Sequence, residues 1–195
     1  MMTDLGITGS LFRINNSGEI IGCTAGGPSS RGFLYSDGTQ IDLGFPEGSF
    51  SYPYGINEAG QIVGFAGYNY GVQRGFIYND GVVTYFDAAG DRSSCARDIN
   101  NEGQVVGEFI NSSGQAQAFL YSDGTRINLN DLIDPPSGWI LQDARAINDA
   151  GQIVGVGVDP EGYGHAWLLT LIPEPSVIAL SALGFLFLRR SKQES

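Results

Sequence analysis

Residues able to do acid–base or nucleophilic chemistry are few and scattered. His165 is the single histidine of the 195-residue chain, so any Ser-His-Asp or Cys-His mechanism has to run through it. It opens "HAWLL" (165–169), a phrase that occurs earlier as "RGFLY" (31–35), "RGFIY" (74–78) and "QAFLY" (117–121). His165 therefore takes a position held by Arg31, Arg74 and Gln117 in the other copies, as a structural or exposed residue would. Cys23 and Cys95 form no CxxC pair and have no histidine cluster nearby. They read as two buried or half-buried thiols rather than a zinc site, and no disulfide is indicated. Asp37, Asp80 and Asp123 each precede a glycine, where a tight turn explains them before catalysis or calcium binding does. The loops "DPEGYG" (159–164) and "AAGDRSS" (88–94) could touch a cation but carry no ligand spacing. No HExxH, P-loop, GxSxG or EF-hand pattern occurs. No glycine-rich stretch leads into a helix able to hold a phosphate. The expectation is no catalytic residue, no metal and no cofactor. The aromatics Tyr52, Tyr54, Tyr68, Tyr70 and Trp139 are better placed for contact, because their faces suit sugars or partners. Packing inside the fold is the alternative for them.

The elements that would position these residues are written as a repeat. "INNSGEIIG" (14–22), "INEAGQIVG" (56–64), "INNEGQVVG" (99–107) and "INDAGQIVG" (147–155) place Asn15, Asn57, Asn100 and Asn148 at steps of 42, 43 and 48. The aromatics Phe33, Phe76, Phe119 and Trp167 follow by 18, 19, 19 and 19 residues. Asp-Gly comes next at 37–38, 80–81 and 123–124, then an apolar residue, Leu43, Phe86 or Leu129. Several markers in fixed order make a strong repeat signal. The Asn begins a type I turn, and Gly18, Gly60, Gly103 and Gly151 close it with positive φ. Asp-Gly suits a two-residue type I′ hairpin. The flanking runs "QIVG" and "GFLY" are apolar on both faces, like strands of a covered sheet. Each unit of about 43 residues thus reads as four antiparallel strands, the blade of a β-propeller. The fold expected over 3–171 is all-β, a propeller-like ring of about four such blades.

The fourth unit lacks its Asp-Gly and fourth strand, while "TDLG" (3–6) matches "IDLG" (41–44) without a blade of its own. The preferred arrangement closes the ring by letting the N-terminal segment complete the last blade. A fragment of a longer array, or an open solenoid, are the alternatives.

Bulk composition agrees with a turn-rich globular protein. Glycine makes up 29 of the 195 residues and hydrophobic residues 42%, against an average glycine share of about 7%. The net charge of −11 argues against nucleic acid, whose phosphates need a basic surface.

These units resemble the HAF repeats of bacterial extracellular proteins, named for a His-Ala-Phe triplet. Here it stands as Arg31-Gly32-Phe33, Arg74-Gly75-Phe76, Gln117-Ala118-Phe119 and His165-Ala166-Trp167. The resemblance implies a secreted or surface protein without a known activity.

The remaining segment, 172–195, reads "IPEPSVIALSALGFLFLRRSKQES". Pro173-Glu174-Pro175 stops any strand. An apolar run from Val177 to Leu188 follows, then Arg189-Arg190. Twelve helical residues reach about 18 Å, short of a roughly 30 Å hydrocarbon core. The basic stop nevertheless favours a short hydrophobic helix in a membrane, with its arginines on the cytoplasmic side. The tail resembles a PEP-CTERM sorting signal. That implies an exosortase as partner, cleavage near Pro173, Glu174 and Pro175, and delivery to the cell surface or its polysaccharide. "MMTDLGITGS" is no signal peptide, so the start of translation is expected upstream. The function expected is a non-enzymatic exported repeat protein, with a carbohydrate-active hydrolase or lyase as the alternative.

Overall fold

The computed structural model describes residues 2, 4–24, 30–45, 49–68, 72–86, 90–134 and 137–170. Its regular structure is β-strand, with a 3-10 turn at Leu129–Asp131. Among the described residues no helix is long and apolar enough to cross a membrane. The expected tail helix, with Pro173, Glu174, Pro175, Arg189 and Arg190, lies outside them, as does Tyr70.

The strands form four antiparallel sheets, each in chain order. The first blade holds β1 (Gly9–Ile14), β2 (Ile20–Thr24), β3 (Gly32–Ser36) and β4 (Thr39–Asp42). The second holds β5 (Ser49–Ile56), β6 (Ile62–Tyr68), β7 (Arg74–Asn79) and β8 (Val82–Tyr85). The third holds β9 (Ser93–Ile99), β10 (Val105–Ile110), β11 (Ala116–Ser122) and β12 (Thr125–Asn128). Among the described residues the fourth has three strands, β13 (Ile140–Ile147), β14 (Gln152–Val158) and β15 (Gly164–Thr170). The expected blades are present, and the fold is of the β-propeller type.

Turn chemistry makes the hairpins. The N–H of Gly18 bonds to the Asn15 carbonyl at 3.1 Å, and Gly18 has φ of 83°. The same closure recurs at Asn57–Gly60, Asn100–Gly103 and Asn148–Gly151. Asp37, Asp80 and Asp123 have φ of 50°, 48° and 52°, each followed by a positive-φ glycine, as a type I′ turn requires.

The glycine that ends "QIVG" has a different task. A Cβ on Gly107 would meet the Cys95 carbonyl oxygen at 2.0 Å and the Phe119 ring at 2.9 Å. Gly22, Gly64 and Gly155 stand at the same register, and each would strike the carbonyl of Ser10, Tyr52 or Asp143. Gly22 faces Phe33, Gly64 faces Phe76, Gly107 faces Phe119 and Gly155 faces Trp167 across the strand pair. The bare glycine leaves room for the aromatic ring, which is why the two markers travel together.

Three apolar clusters sit between consecutive blades. Val63 and Phe86 of the second blade pack with Ala96, Ile99 and Val105 of the third. Equivalent residues join first to second and third to fourth. A ladder of asparagines laces the same junctions. The Nδ2 of Asn15 donates to the Asn57 carbonyl at 3.1 Å, Asn57 to Asn100 at 3.1 Å, and Asn100 to Asn148 at 3.2 Å.

Among the described residues the expected closure of the ring is not made. No strand among the described residues pairs with the free edge of β15, and Asp4–Gly6 form no strand. No bond among the described residues carries the asparagine ladder from Asn148 to Asn15. Leu11 and Ile14 of the first blade and Val154 and Leu168 of the fourth stay exposed, so among the described residues the two end blades do not pack on each other and the blades form an open arc.

Candidate functional site

Each blade's innermost strand carries a β-bulge. The register of β1 slips between Leu11 and Arg13, that of β5 between Pro53 and Gly55. In β9 it slips as Asp98 gives way to Ala96, and in β13 between Ala144 and Ala146. The residue skipped is Phe12, Tyr54, Arg97 or Arg145, in each case the third before the turn asparagine. A bulge re-aims its side chain. These four side chains line one cavity of about 410 Å³ at the centre of the arc, joined by Arg13 and Asp143.

Electrostatics sets this cavity apart. The chain has 10 Lys and Arg against 21 Asp and Glu, yet three guanidinium groups meet one carboxylate here. Asp143 is buried and bridges two of them, to Arg97 Nε at 3.3 Å and Arg145 Nε at 3.2 Å. Glu108 holds Arg97 from outside the lining. Burial, and then the charge of Asp143, push the Glu108 carboxyl above its ordinary range. Behind Arg13, burial raises the Asp98 carboxyl, opposed by a bond from the Ile147 N–H and by Arg13 itself. The Arg97 guanidinium lies 5.8 Å from the centre of the Tyr54 ring, and Phe12 meets Tyr54 edge-on at 6.0 Å. Such a site offers planar, forked donors beside aromatic faces, the chemistry that holds a carboxylate or a phosphate.

Of the aromatics singled out in the sequence, Tyr54 reaches the cavity. Tyr52 stacks on Phe65 at 5.3 Å. Trp139 stands against His165 at 5.9 Å and lines a small apolar recess with Leu141 and Trp167. The side chain of Tyr68 is not described. His165 is exposed and pairs with Asp159 at 3.1 Å. The "DPEGYG" loop is a further tight turn, closed by the Tyr163 N–H on Asp159 Oδ1 at 2.8 Å. Among the described residues no cluster of three or more His, Cys, Asp or Glu could hold a metal. Cys23 and Cys95 are both free and buried. Sequence reasoning missed Phe12, Arg13, Arg97, Asp143 and Arg145. The signal present was a large residue at a fixed distance before each turn asparagine, different from copy to copy.

No protein-family model and no curated protein matches the chain. Solved structures do resemble it. A TolB protein of Agrobacterium tumefaciens superposes with a TM-score of 0.56 at 17% identity, over 81% of this chain and 60% of that one. A puromycin-hydrolyzing peptidase of Mycobacterium tuberculosis gives 0.54 at 10% identity, over 90% and 30%. The acylaminoacyl peptidase of Pyrococcus horikoshii gives 0.51 at 17%, over 87% and 28%. This chain therefore spans less than two thirds of each of these proteins, and the likeness is one of fold.

Proposed function

We propose that the chain is a non-enzymatic, exported repeat module whose central cavity holds a carboxylate-bearing group, foremost an acidic sugar of an extracellular polysaccharide. The observation that carries this reading is the convergence of Arg13, Arg97 and Arg145 beside Tyr54 and Phe12 in a chain of net charge −11. A guanidinium fork suits a uronate carboxylate, and an aromatic face suits the ring next to it. The PEP-CTERM-like tail supports export, with an exosortase acting on Pro173-Glu174-Pro175 and the apolar segment holding the precursor in the membrane.

One observation favours a hydrolase instead. Glu108 and Asp143 are two carboxylates in unlike surroundings, a pattern that separates acid from base. Glu108, however, is paired with Arg97 and takes no part in the lining.

Calorimetric titration with oligogalacturonate and with neutral dextran tests the proposal. Binding is expected for the acidic oligomer, weakening as salt rises. Arg145→Ala, at an exposed position, should lower affinity about tenfold, which is about 1.4 kcal/mol. Equal binding of both glycans, or none, would overturn it, and shortening of the oligomer on incubation would favour the enzyme.

A further inference from the structure

The three arginines of the central cavity are not equivalent. Arg97 is held on both sides, its Nε by Asp143 Oδ1 at 3.3 Å and its Nη2 by Glu108. Arg145 gives its Nε to the other oxygen of Asp143 at 3.2 Å, and its side chain is 62% exposed. Among the described residues the two terminal nitrogens of Arg145 have no hydrogen-bond partner. Arg13 is exposed, and among the described residues no hydrogen bond or ion pair holds its guanidinium. Asp98 feels the charge of Arg13, but it accepts from the Ile147 N–H at 3.1 Å and does not line the cavity. Two guanidinium forks therefore stand open, one on β1 and one on β13.

The aromatic lining is doubled in the same way. Phe12 is the bulge residue of β1 and the chain neighbour of Arg13. Tyr54 comes from the second blade, and its ring plane stands at 82° to that of Phe12. The two rings thus present separate faces rather than one continuous platform. Within the lining, three guanidinium groups against the Asp143 carboxylate leave two positive charges unmet. The cavity of about 410 Å³ falls in the range of about 300–1,000 Å³ for pockets that enclose most of a drug-sized molecule. That is far more room than one carboxylate fills.

We infer that the cavity takes two neighbouring uronate units of one glycan rather than a single acidic sugar, an inference that rests on the acidic-sugar reading above. One carboxylate meets the open fork of Arg13, with its sugar ring against Phe12. The next meets the terminal nitrogens of Arg145, with its ring toward Tyr54. A guanidinium can give a carboxylate two parallel N–H bonds, and an aromatic face suits the apolar side of a ring. Arg97 is a positioning residue here. It fixes Asp143, whose second oxygen then orients Arg145. Once the first carboxylate is seated, the linked one reaches its fork at high effective concentration, so joined units bind more tightly than separate ones. Runs of adjacent uronates are thereby preferred over polymers in which neutral sugars separate them.

Calorimetric titration of the full chain with galacturonate, digalacturonate and inorganic phosphate tests this. Digalacturonate should bind one per chain, at least about tenfold more tightly than galacturonate. Arg13→Ala and Arg145→Ala should each remove that gain, while the affinity for galacturonate changes little because the other fork remains. Both positions are exposed, and circular dichroism should show both variants folded. Equal affinity for the one-unit and two-unit ligands overturns the pairing and leaves a single acidic-sugar site. Phosphate bound as tightly as digalacturonate also overturns it, since one compact dianion would then satisfy the site. A substitution that weakens both sugars by the same factor does so too, because the two carboxylates would share one fork. Binding of neither sugar overturns the acidic-sugar reading itself, and the pairing with it.

Discussion

The side-chain amide of Asn57 donates to the main-chain carbonyl of Asn100, 43 residues away, at 3.1 Å. The same side chain, through Oδ1, accepts from the Ala59 and Gln61 N–H groups of its own turn at 3.1 and 3.0 Å. One buried residue therefore shapes a hairpin and ties two blades together. Local turn geometry and the spacing of the sheets are coupled through it.

Asn57→Ala should lower stability to denaturant by about 1–3 kcal/mol, the range for buried polar partners left unsatisfied. Asn57→Asp keeps the turn acceptor but sets a carboxylate oxygen against the Asn100 carbonyl. Its loss should be at least as large. Urea denaturation of the three proteins checks the order, and an aspartate variant as stable as the native chain would show that the inter-blade bond contributes nothing.

Gly107 offers a second test of the junction between bulge and aromatic. Alanine there collides with the Cys95 carbonyl and with Phe119. Overpacking of this kind costs about 1–3 kcal/mol or more. Gly164 has no neighbour within 4 Å of its would-be Cβ, so Gly164→Ala should stay within about 0.5 kcal/mol. The thermal midpoints of the two variants separate these outcomes.

What the sequence disclosed, and what it hid, divide along a physical line. Asn15, Gly18 and Asp37-Gly38 were legible because they encode backbone shape within a few residues. The three strands of the last unit were legible for the same reason. The cavity was not. Phe12, Tyr54, Arg97 and Arg145 share a register but no chemistry, so a search for sameness passes over them. They become one site when four bulges turn them inward. The matching "TDLG" and "IDLG" pieces share a turn, since Gly6 and Gly44 both bond to the aspartate two residues before them, and among the described residues Asp4–Gly6 pair with no strand.

The sorting reading predicts a defined product. Expressed beside an exosortase, the chain should lose its tail, and intact-mass spectrometry should find an end near Pro173-Glu174-Pro175. Replacing those three residues by alanine should leave the precursor whole. Identical masses with and without the motif would remove the grounds for export by this route.

Cys95 links burial to pH. Burial, and then the nearby carboxylates of Glu108 and Asp143, push its thiol up to about 12, with Arg97 working in the opposite direction. Burial raises the Cys23 thiol as well. A thiol is reactive as its thiolate, so a disulfide reagent at pH 8 should label neither cysteine in the folded chain and both in denaturant. The sign of the stability effect follows from proton binding. The folded state keeps the Cys95 proton to higher pH than the unfolded state, whose thiol titrates near 9.0. Its contribution is whole below pH 9 and is lost as pH climbs from there toward 12, at a limiting slope of about 1.4 kcal/mol per pH unit. Other groups titrate in that window, so the informative quantity is a difference. Cys95→Ala should lose less stability between pH 8 and 11 than the native chain does. Parallel pH profiles for the two would mean that the Cys95 thiol is not enclosed beneath the bulge that turns Arg97 toward the cavity.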